Sequence, residues 1–280
     1  MPQPLAVLMT AYNAEATIRR ALESLRLSTA PFDLLIVDDC SRRPLAEFLG
    51  PELLGPEFLG PNGGSVEIIR PERNLGVAGA KNFGLVERLL AKPYEYVAMM
   101  DADDISHPDR FARQVAFLEA HTDVALVGAW ARFFDENTRE IVYHFRPPCG
   151  AREIREALFL NSCVMHPTWM VRTRALREVG LYSLNYAAAE DYELLRRMSQ
   201  SFALANLPEF LLDYSVSMAG VSMKNRRRQL TDRMRIQWKY FDATRPQAWL
   251  GIARTLVLFA VPVSVLMAYR AEQHLRVQPL

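Results

Sequence analysis

The chain has 280 residues, enough for one large domain or a domain with an appendage, and half of them are hydrophobic, so a sizeable core is available. A net charge of +1 gives the chain as a whole no polyanion-binding signature. Three cysteines, Cys40, Cys149 and Cys163, form no C-x-x-C pair; they argue against a disulfide framework and a zinc site, and fit a reducing cytosol.

The first residues, Met-Pro-Gln-Pro, enter a strand pattern at once, with no signal-peptide pattern. Residues 5–10 are an apolar run closed by Ala11-Tyr12-Asn13 and predict a first strand. Residues 14–27 have helical spacing, with Ile18, Leu22 and Leu25 on one face. Residues 32–37 predict a second strand, which ends in Asp38 and Asp39. Strand, helix, strand with acids at the strand tips predicts a parallel, doubly wound sheet. Gly-Pro then recurs at 50–51, 55–56 and 60–61; proline disfavours a helix, and the stretch reads as a surface excursion.

Residues 66–69 predict a third strand, followed by Asn74-Leu-Gly76-Val-Ala-Gly79-Ala-Lys81-Asn82 and a helix to about Leu90. Small residues there let a helix N-terminus approach a ligand, although the spacing is neither Walker nor Rossmann and also suits tight helix–sheet packing. The central motif follows: Tyr96-Val-Ala-Met-Met ends in Asp101-Ala102-Asp103-Asp104. A buried strand with two carboxylates at its carboxyl tip suits a hard divalent cation bridging to substrate phosphates. An acidic turn or a helix N-cap is the bland alternative.

A helix carrying Phe111, Val115 and Leu118, strands over 124–134 and 141–145, and a helix over 151–160 come next. His166-Pro167 sits in an apolar run, where a histidine is a packed core residue or a substrate contact. Ala187-Ala-Ala-Glu190-Asp191 opens a helix; its acids suit the helix dipole, or supply a carboxylate general base. Residues 204–214 predict a last strand, and a polar loop containing Gly220 follows.

Between Lys224 and Lys239 seven basic residues face one acid, Asp232. In residues 249–269 Arg254 is the sole charge. The apolar part, 255–269, is about 22 Å long as a helix, short of the roughly 30 Å of a bilayer core. An interfacial helix, a spanning or re-entrant helix and a packing helix all remain open, and the basic run favours the first, on an anionic surface. The chain thus divides into residues 1–225 and a basic, apolar helical tail, 226–280.

Five segments together, Val7-Leu-Met-Thr-Ala-Tyr-Asn13, Ile36-Val-Asp-Asp-Cys-Ser41, Asn74-Leu-Gly-Val-Ala-Gly-Ala-Lys-Asn82, Asp101-Ala-Asp-Asp and Glu190-Asp191, closely resemble the family 2 glycosyltransferases over residues 4–225. The resemblance implies a GT-A fold, an α/β sheet that is mostly parallel and flanked by helices, and an inverting transfer of sugar from a nucleotide-diphospho-sugar. It further implies that Thr10, Ala11, Tyr12, Asp39, Asn74, Gly76, Lys81, Asp101 and Ala102 bind the donor nucleotide, UDP by preference. Asp103 would hold manganese or magnesium, Asp191 would be the base, and Glu190 and His166 would lie near sugar or acceptor. Cys40 stands where the family usually has Gly or Asn; little consequence is expected, since the side chain stays small. No Gln-x-x-Arg-Trp motif of the processive members is reproduced, so single addition is expected. The implied acceptor is a glycan or lipid-linked glycan, not nucleic acid, at the cytoplasmic face of the cell membrane. A haloacid dehalogenase-type phosphotransferase and a non-catalytic membrane-attached nucleotide-sugar-binding module are the competing readings.

Overall fold

The computed structural model describes residues 4–55, 58–59, 63–216 and 226–261. The polar loop around Gly220 and the apolar stretch beyond Val261 lie outside the described residues.

The N-terminal half is built as the apolar runs demand. Leu5–Ala11 (β1), Asp33–Asp38 (β2), Val66–Ile69 (β3) and Tyr96–Asp101 (β4) are strands. Ile18–Arg26 (α1) and Gly76–Gly84 (α4) are the helices after β1 and β3, and α4 runs on into a π-helical turn, Leu85–Leu89. Ile105–Ser106 (β5), Val124–Asp135 (β6), Ile141–Phe145 (β7), Met170–Arg172 (β8) and Ala203–Val216 (β9) complete the strands. All join one sheet in the order β3-β2-β1-β4-β8-β6-β9-β5, with β7 on β6 beside this path. The ladders β1–β2, β1–β4, β2–β3 and β6–β9 are parallel; β8 is an antiparallel insertion between β4 and β6.

Both faces of the sheet are buried, which is why its central strands read as unbroken apolar runs. Along β1, Leu5, Val7 and Met9 enter one apolar cluster with Ile18, Leu22 and Leu25 of α1, while Ala6 and Leu8 enter the other with Ala80 and Leu85. Arg110–Ala120 (α5) covers the first face through Phe111 and Leu118. Glu190–Ser201 (α8) covers the second through Leu194, Leu195 and Met198.

The Gly-Pro stretch departs from the expected non-helical excursion. Leu45–Phe48 (α2) and Pro51–Leu54 (α3) are single helical turns. Leu49, Leu53, Phe58 and Leu59 are buried in the same cluster as α1. Pro51 opens its turn at the first helical position, where a missing N–H costs nothing. The helix expected over 151–160 is shorter, Ala151–Ala157 (α6), and Thr173–Val179 (α7) follows β8.

Arg226–Lys239 (α9) and Pro246–Ala260 (α10) pack on the body. Leu230, Asp232, Ile236 and Gln237 of α9 are buried. Asp232 accepts from the Ala188 N–H at 3.2 Å, Lys239 pairs with Glu193 of α8 at 2.7 Å, and Gln237 accepts from Thr255 of α10 at 2.9 Å. The helix that opens the tail therefore packs on the body expected to end at residue 225.

Register decides where the loops emerge. Thr10 lies opposite Asp101 in the β1–β4 ladder, and Ala11 lies opposite Asp38 in the β1–β2 ladder. The tips of β1, β2 and β4 therefore end level, at the edge where open α/β sheets bind ligands. Gly84 makes the supporting packing possible: a β-carbon there would sit 2.7 Å from Leu8 and 2.8 Å from Val37. Gly84→Ala is expected to cost about 1–3 kcal/mol through overpacking, read as a lowered midpoint in urea with an unchanged slope.

Candidate active site

Two loops at this edge are tied together by their own backbones. The Asp39 N–H donates to the Ala11 carbonyl at 2.9 Å, the Asn13 N–H to Ser41 Oγ at 2.9 Å, and the Arg42 N–H to Asn13 Oδ1 at 2.8 Å. Asn13 and Cys40 hold positive φ, 51° and 60°. Asparagine tolerates this region; a residue such as Cys40 carries a cost of about 1–2 kcal/mol that glycine would not. The substitution at Cys40 is thus not without consequence, because the position constrains backbone rather than size.

Asp38 and Asp39 do different work. Asp38 accepts from the Ser41 and Leu45 N–H groups at 2.9 and 3.0 Å and pairs with Arg70 at 2.5 Å. Burial acts to raise its carboxyl, but these bonds outweigh it and leave it below the ordinary carboxylate range. Asp39 accepts from the Leu75 and Gly76 N–H groups at 2.7 and 2.9 Å, at the start of α4. Burial nevertheless raises its carboxyl. Asn74 donates to the Asp39 carbonyl at 2.8 Å, and Gly76 takes φ +71°, which favours glycine. Asp39, Asn74 and Gly76 are thus brought together by one another. A carboxylate has about four lone-pair directions, so Asp39 keeps acceptor capacity for a donor. Thr10 and Ala11 end β1 beside this cluster, and the Tyr12 side chain beyond them is 54% exposed.

At the tip of β4, Asp101 is half-buried, Ala102 and Asp104 are buried and Asp103 is exposed on the following turn. The neighbouring protein and the charge of Asp101 push the Asp103 carboxyl up to about 6. Burial raises Asp101, against the pull of Lys81 and with the push of Glu190. Asp104 accepts from the Ser215 N–H of β9 at 2.9 Å, and its Oδ2 is buried without a hydrogen-bond partner among the described residues.

A cavity of about 500 Å³ opens beside this tip, lined by Lys81, Asp101, His166, Glu190 and Asp191 among others. Lys81 and Glu190, 4% and 7% exposed, form an ion pair at 3.0 Å that links α4 to α8. Burial, then the charge of Glu190, pushes the Asp191 carboxyl up to about 6. His166 is buried, hydrogen-bonded through Nε2 to the Tyr182 hydroxyl at 2.9 Å, and kept neutral by burial and by Lys81 and Arg110. Asn82 fixes Tyr182 by two reciprocal bonds to its backbone, at 2.8 and 3.0 Å. The cavity thus gathers Lys81, Asp101, His166, Glu190 and Asp191, whereas Thr10, Ala11, Tyr12, Asp39, Asn74, Gly76, Ala102 and Asp103 lie outside its lining, on the β1, β2 and β4 tips and the approach to α4.

The family model for glycosyl transferase family 2 matches residues 6–180, more than half of the chain. The chain is a family 2 glycosyltransferase. It is 33% identical over 228 residues to the amylovoran biosynthesis glycosyltransferase AmsE of Erwinia amylovora, covering 80% of this chain and 79% of that one. It is 30% identical over 260 residues to an uncharacterized glycosyltransferase of Haemophilus influenzae, covering 91% of both. Among solved structures, S. aureus TarS 1–349 in complex with UDP-GlcNAc aligns with a TM-score of 0.65 at 18% identity, over 91% of this chain and 72% of that one. The mannosyltransferase PcManGT of Pyrobaculum calidifontis, in complex with GDP-Man and Mn2+, aligns with a TM-score of 0.65 at 17% identity, over 98% and 81%. The chain spans 41% of a longer TarS structure. The fold of this glycosyltransferase is GT-A, with a mixed and mostly parallel sheet.

Several residues in or beside this cavity were not legible in the sequence. Tyr182 lies in a loop with no motif and is found only through its bonds to Asn82 and His166. Phe133 and Tyr214 are aromatic residues near strand ends, a signal as common in cores as in sites. Gln229 reaches the cavity from α9, outside the region of resemblance.

The Lys81–Glu190 pair generates a stability prediction. Lys81→Met leaves a buried carboxylate unpaired and is expected to cost about 3–5 kcal/mol at pH 7 in urea unfolding. Adding Glu190→Gln is expected to recover most of that loss.

Proposed function

We propose that this glycosyltransferase moves a sugar from a nucleotide-diphospho-sugar, UDP-linked by preference, to a hydroxyl of a glycan acceptor, with inversion. One observation carries the reading: Asp191 and Asp101 open into the same cavity, and Asp191 has a carboxyl near 6. A carboxylate of that strength is ionised at neutral pH and basic enough to accept a proton in the transition state. The acceptor hydroxyl loses its proton to Asp191 as its oxygen bonds to the anomeric carbon. The anomeric carbon–oxygen bond to the diphosphate breaks, and the diphosphate leaves with the electron pair. Thr10, Ala11, Tyr12, Asp39, Asn74, Gly76 and Ala102 are assigned to the nucleotide, and Lys81 to the charged side of the donor. The UDP-GlcNAc complex of TarS and the GDP-Man complex of PcManGT support a nucleotide-sugar donor for this fold.

Asp101 and Asp103 fit a divalent cation shared with the donor. Burial and the charge of Asp101 raise the Asp103 carboxyl, so the turn concentrates like charge that a cation would offset. No group of three His, Cys, Asp or Glu side chains suited to a metal occurs among the described residues. Asp101 and Asp103 would hold such a metal with few protein ligands, and donor or water oxygens would complete its shell. When bound, manganese or magnesium would offset the charge developing on the leaving diphosphate.

We assign the acceptor side to a membrane surface, at its cytoplasmic face, with a lipid-linked glycan as acceptor. On α10, Ala248, Gly251, Ile252 and Thr255 face the body, while Trp249, Leu250, Leu256, Val257 and Phe259 are exposed. Arg254 is exposed on the same helix, and Arg227 and Arg228 are exposed at the start of α9. Among the described residues no helix is long and apolar enough to cross a membrane; the exposed apolar residues of α10 support the surface reading.

Thermal shift tests the donor reading: one nucleoside diphosphate, with manganese, is expected to raise the melting temperature, and Asp103→Ala to abolish the metal-dependent part. No shift with any nucleotide sinks the reading. Asp191→Asn is expected to lower turnover about 10²–10⁴-fold without loss of nucleotide binding. In the parent enzyme, kcat/KM should rise with pH through about 6, because the carboxyl must lose its proton before it can act as a base; a profile flat from pH 5 to 8 argues against this base. In sedimentation with vesicles containing phosphatidylglycerol, the chain is expected to pellet, and the combined Trp249→Ser, Val257→Ser and Phe259→Ser variant to stay in the supernatant.

A further inference from the structure

The cavity lining joins two chemistries: Lys81, Asp101, Glu190 and Asp191 supply charge, and Phe133, Phe145 and Tyr214 supply an aromatic cluster. The aromatic cluster follows from strand register. Phe133 of β6 lies beside Tyr214 of β9 in the parallel ladder, with ring centroids 4.8 Å apart. β7 returns antiparallel and adds Tyr143 at 5.5 Å and Phe145 at 6.2 Å from Phe133. Phe133, Phe145 and Tyr214 are each half-buried, so one part of each ring packs and another part meets the cavity. Burial, then the charges of Asp104, Asp101, Asp103 and Asp191, raises the Tyr214 hydroxyl, and the ring lines the same cavity as Asp101 and Asp191.

The rings of Tyr214 and Phe145 tilt by 47° and 59° from that of Phe133, so the cluster offers separate ring faces in a cavity that also holds carboxylates, and that combination matches one ligand chemistry well. A pyranose has a face of C–H bonds that packs on aromatic rings, and hydroxyl donors around its rim that suit carboxylates. An open-chain polyol lacks such a ring face.

We propose that Phe133, Phe145 and Tyr214 form the acceptor platform, on which a pyranose lays its C–H face with a hydroxyl directed at Asp191. The acceptor is thereby a glycoside whose terminal unit is a six-membered sugar ring. This assignment rests on the glycosyltransfer reading above and names the acceptor class for the same cavity. Tyr214 acts through its ring rather than its hydroxyl.

Saturation-transfer NMR on the full chain, with manganese and UDP or GDP present, tests it using methyl glucoside, methyl galactoside, methyl mannoside and methyl N-acetylglucosaminide against sorbitol. Nucleotide binding is measured first by calorimetry on the same sample. At least one methyl glycoside is expected to receive saturation at the C–H protons of one ring face, with none at sorbitol. Phe133→Leu and Tyr214→Leu are expected to weaken that glycoside roughly five- to tenfold, Tyr214→Phe to retain it, and nucleotide affinity to stay within about twofold in all three. Circular dichroism melts confirm that each variant is folded, and Phe145→Leu replaces any that is not. Nucleotide binding without saturation of any glycoside, or saturation indifferent to the leucine variants, overturns the platform and leaves the donor site standing. Failure of both nucleotides to bind overturns the donor reading and the platform with it.

Discussion

The site depends on how one positive charge is shared among buried acids. Of the described residues lining the cavity, Lys81 alone is cationic, since His166 is held neutral. It pairs with Glu190 and acts at a distance on Asp101 and Asp191. Without it three carboxylates would face one another in a partly desolvated pocket, an arrangement that proteins avoid by protonation or by binding a cation. Lys81 is borne by α4, and Glu190 opens α8, so the same pair also joins the two halves of the sheet around the cleft.

That electrostatic arrangement is possible only because the backbone is rigid beneath it. Level tips of β1, β2 and β4 set the loops, Asp39 locks the start of α4 through two amide bonds, and Asn82 locks Tyr182. On the far side, α9 holds the loop before α8 through Asp232 and anchors α8 itself through Lys239. The tail helices are therefore structural supports of the cleft as well as the carriers of an exposed apolar face. The exposed apolar face is on α10, which is bonded to α9, and α9 in turn touches the residues leading into Glu190 and Asp191.

Much was legible in the chain because both faces of the sheet are buried and its strands end in acids. The runs before Asn13, Asp38 and Asp101 are unbroken apolar segments, and their tips had to be polar. The Gly-Pro stretch was misread because proline was weighed as a helix breaker without regard to position, and at a first helical position it breaks nothing. Cys40 was misread because its size was considered and its φ was not. Phe133, Phe145 and Tyr214 carried no motif: their neighbourhood is created by a parallel pairing of strands some eighty residues apart.

The sequence by itself determined the parallel core, the acidic strand tips and the family, since these are local patterns of hydrophobicity, spacing and residue type. Only the tertiary structure decided that Lys81 faces Glu190, that Asp38 is spent on the fold while Asp39 caps a helix, that α9 lines the cavity through Gln229, and that Phe133, Phe145 and Tyr214 share the cavity with the acids. Those facts are distances between segments remote in sequence, and no local pattern encodes a distance until register, packing and burial have fixed it.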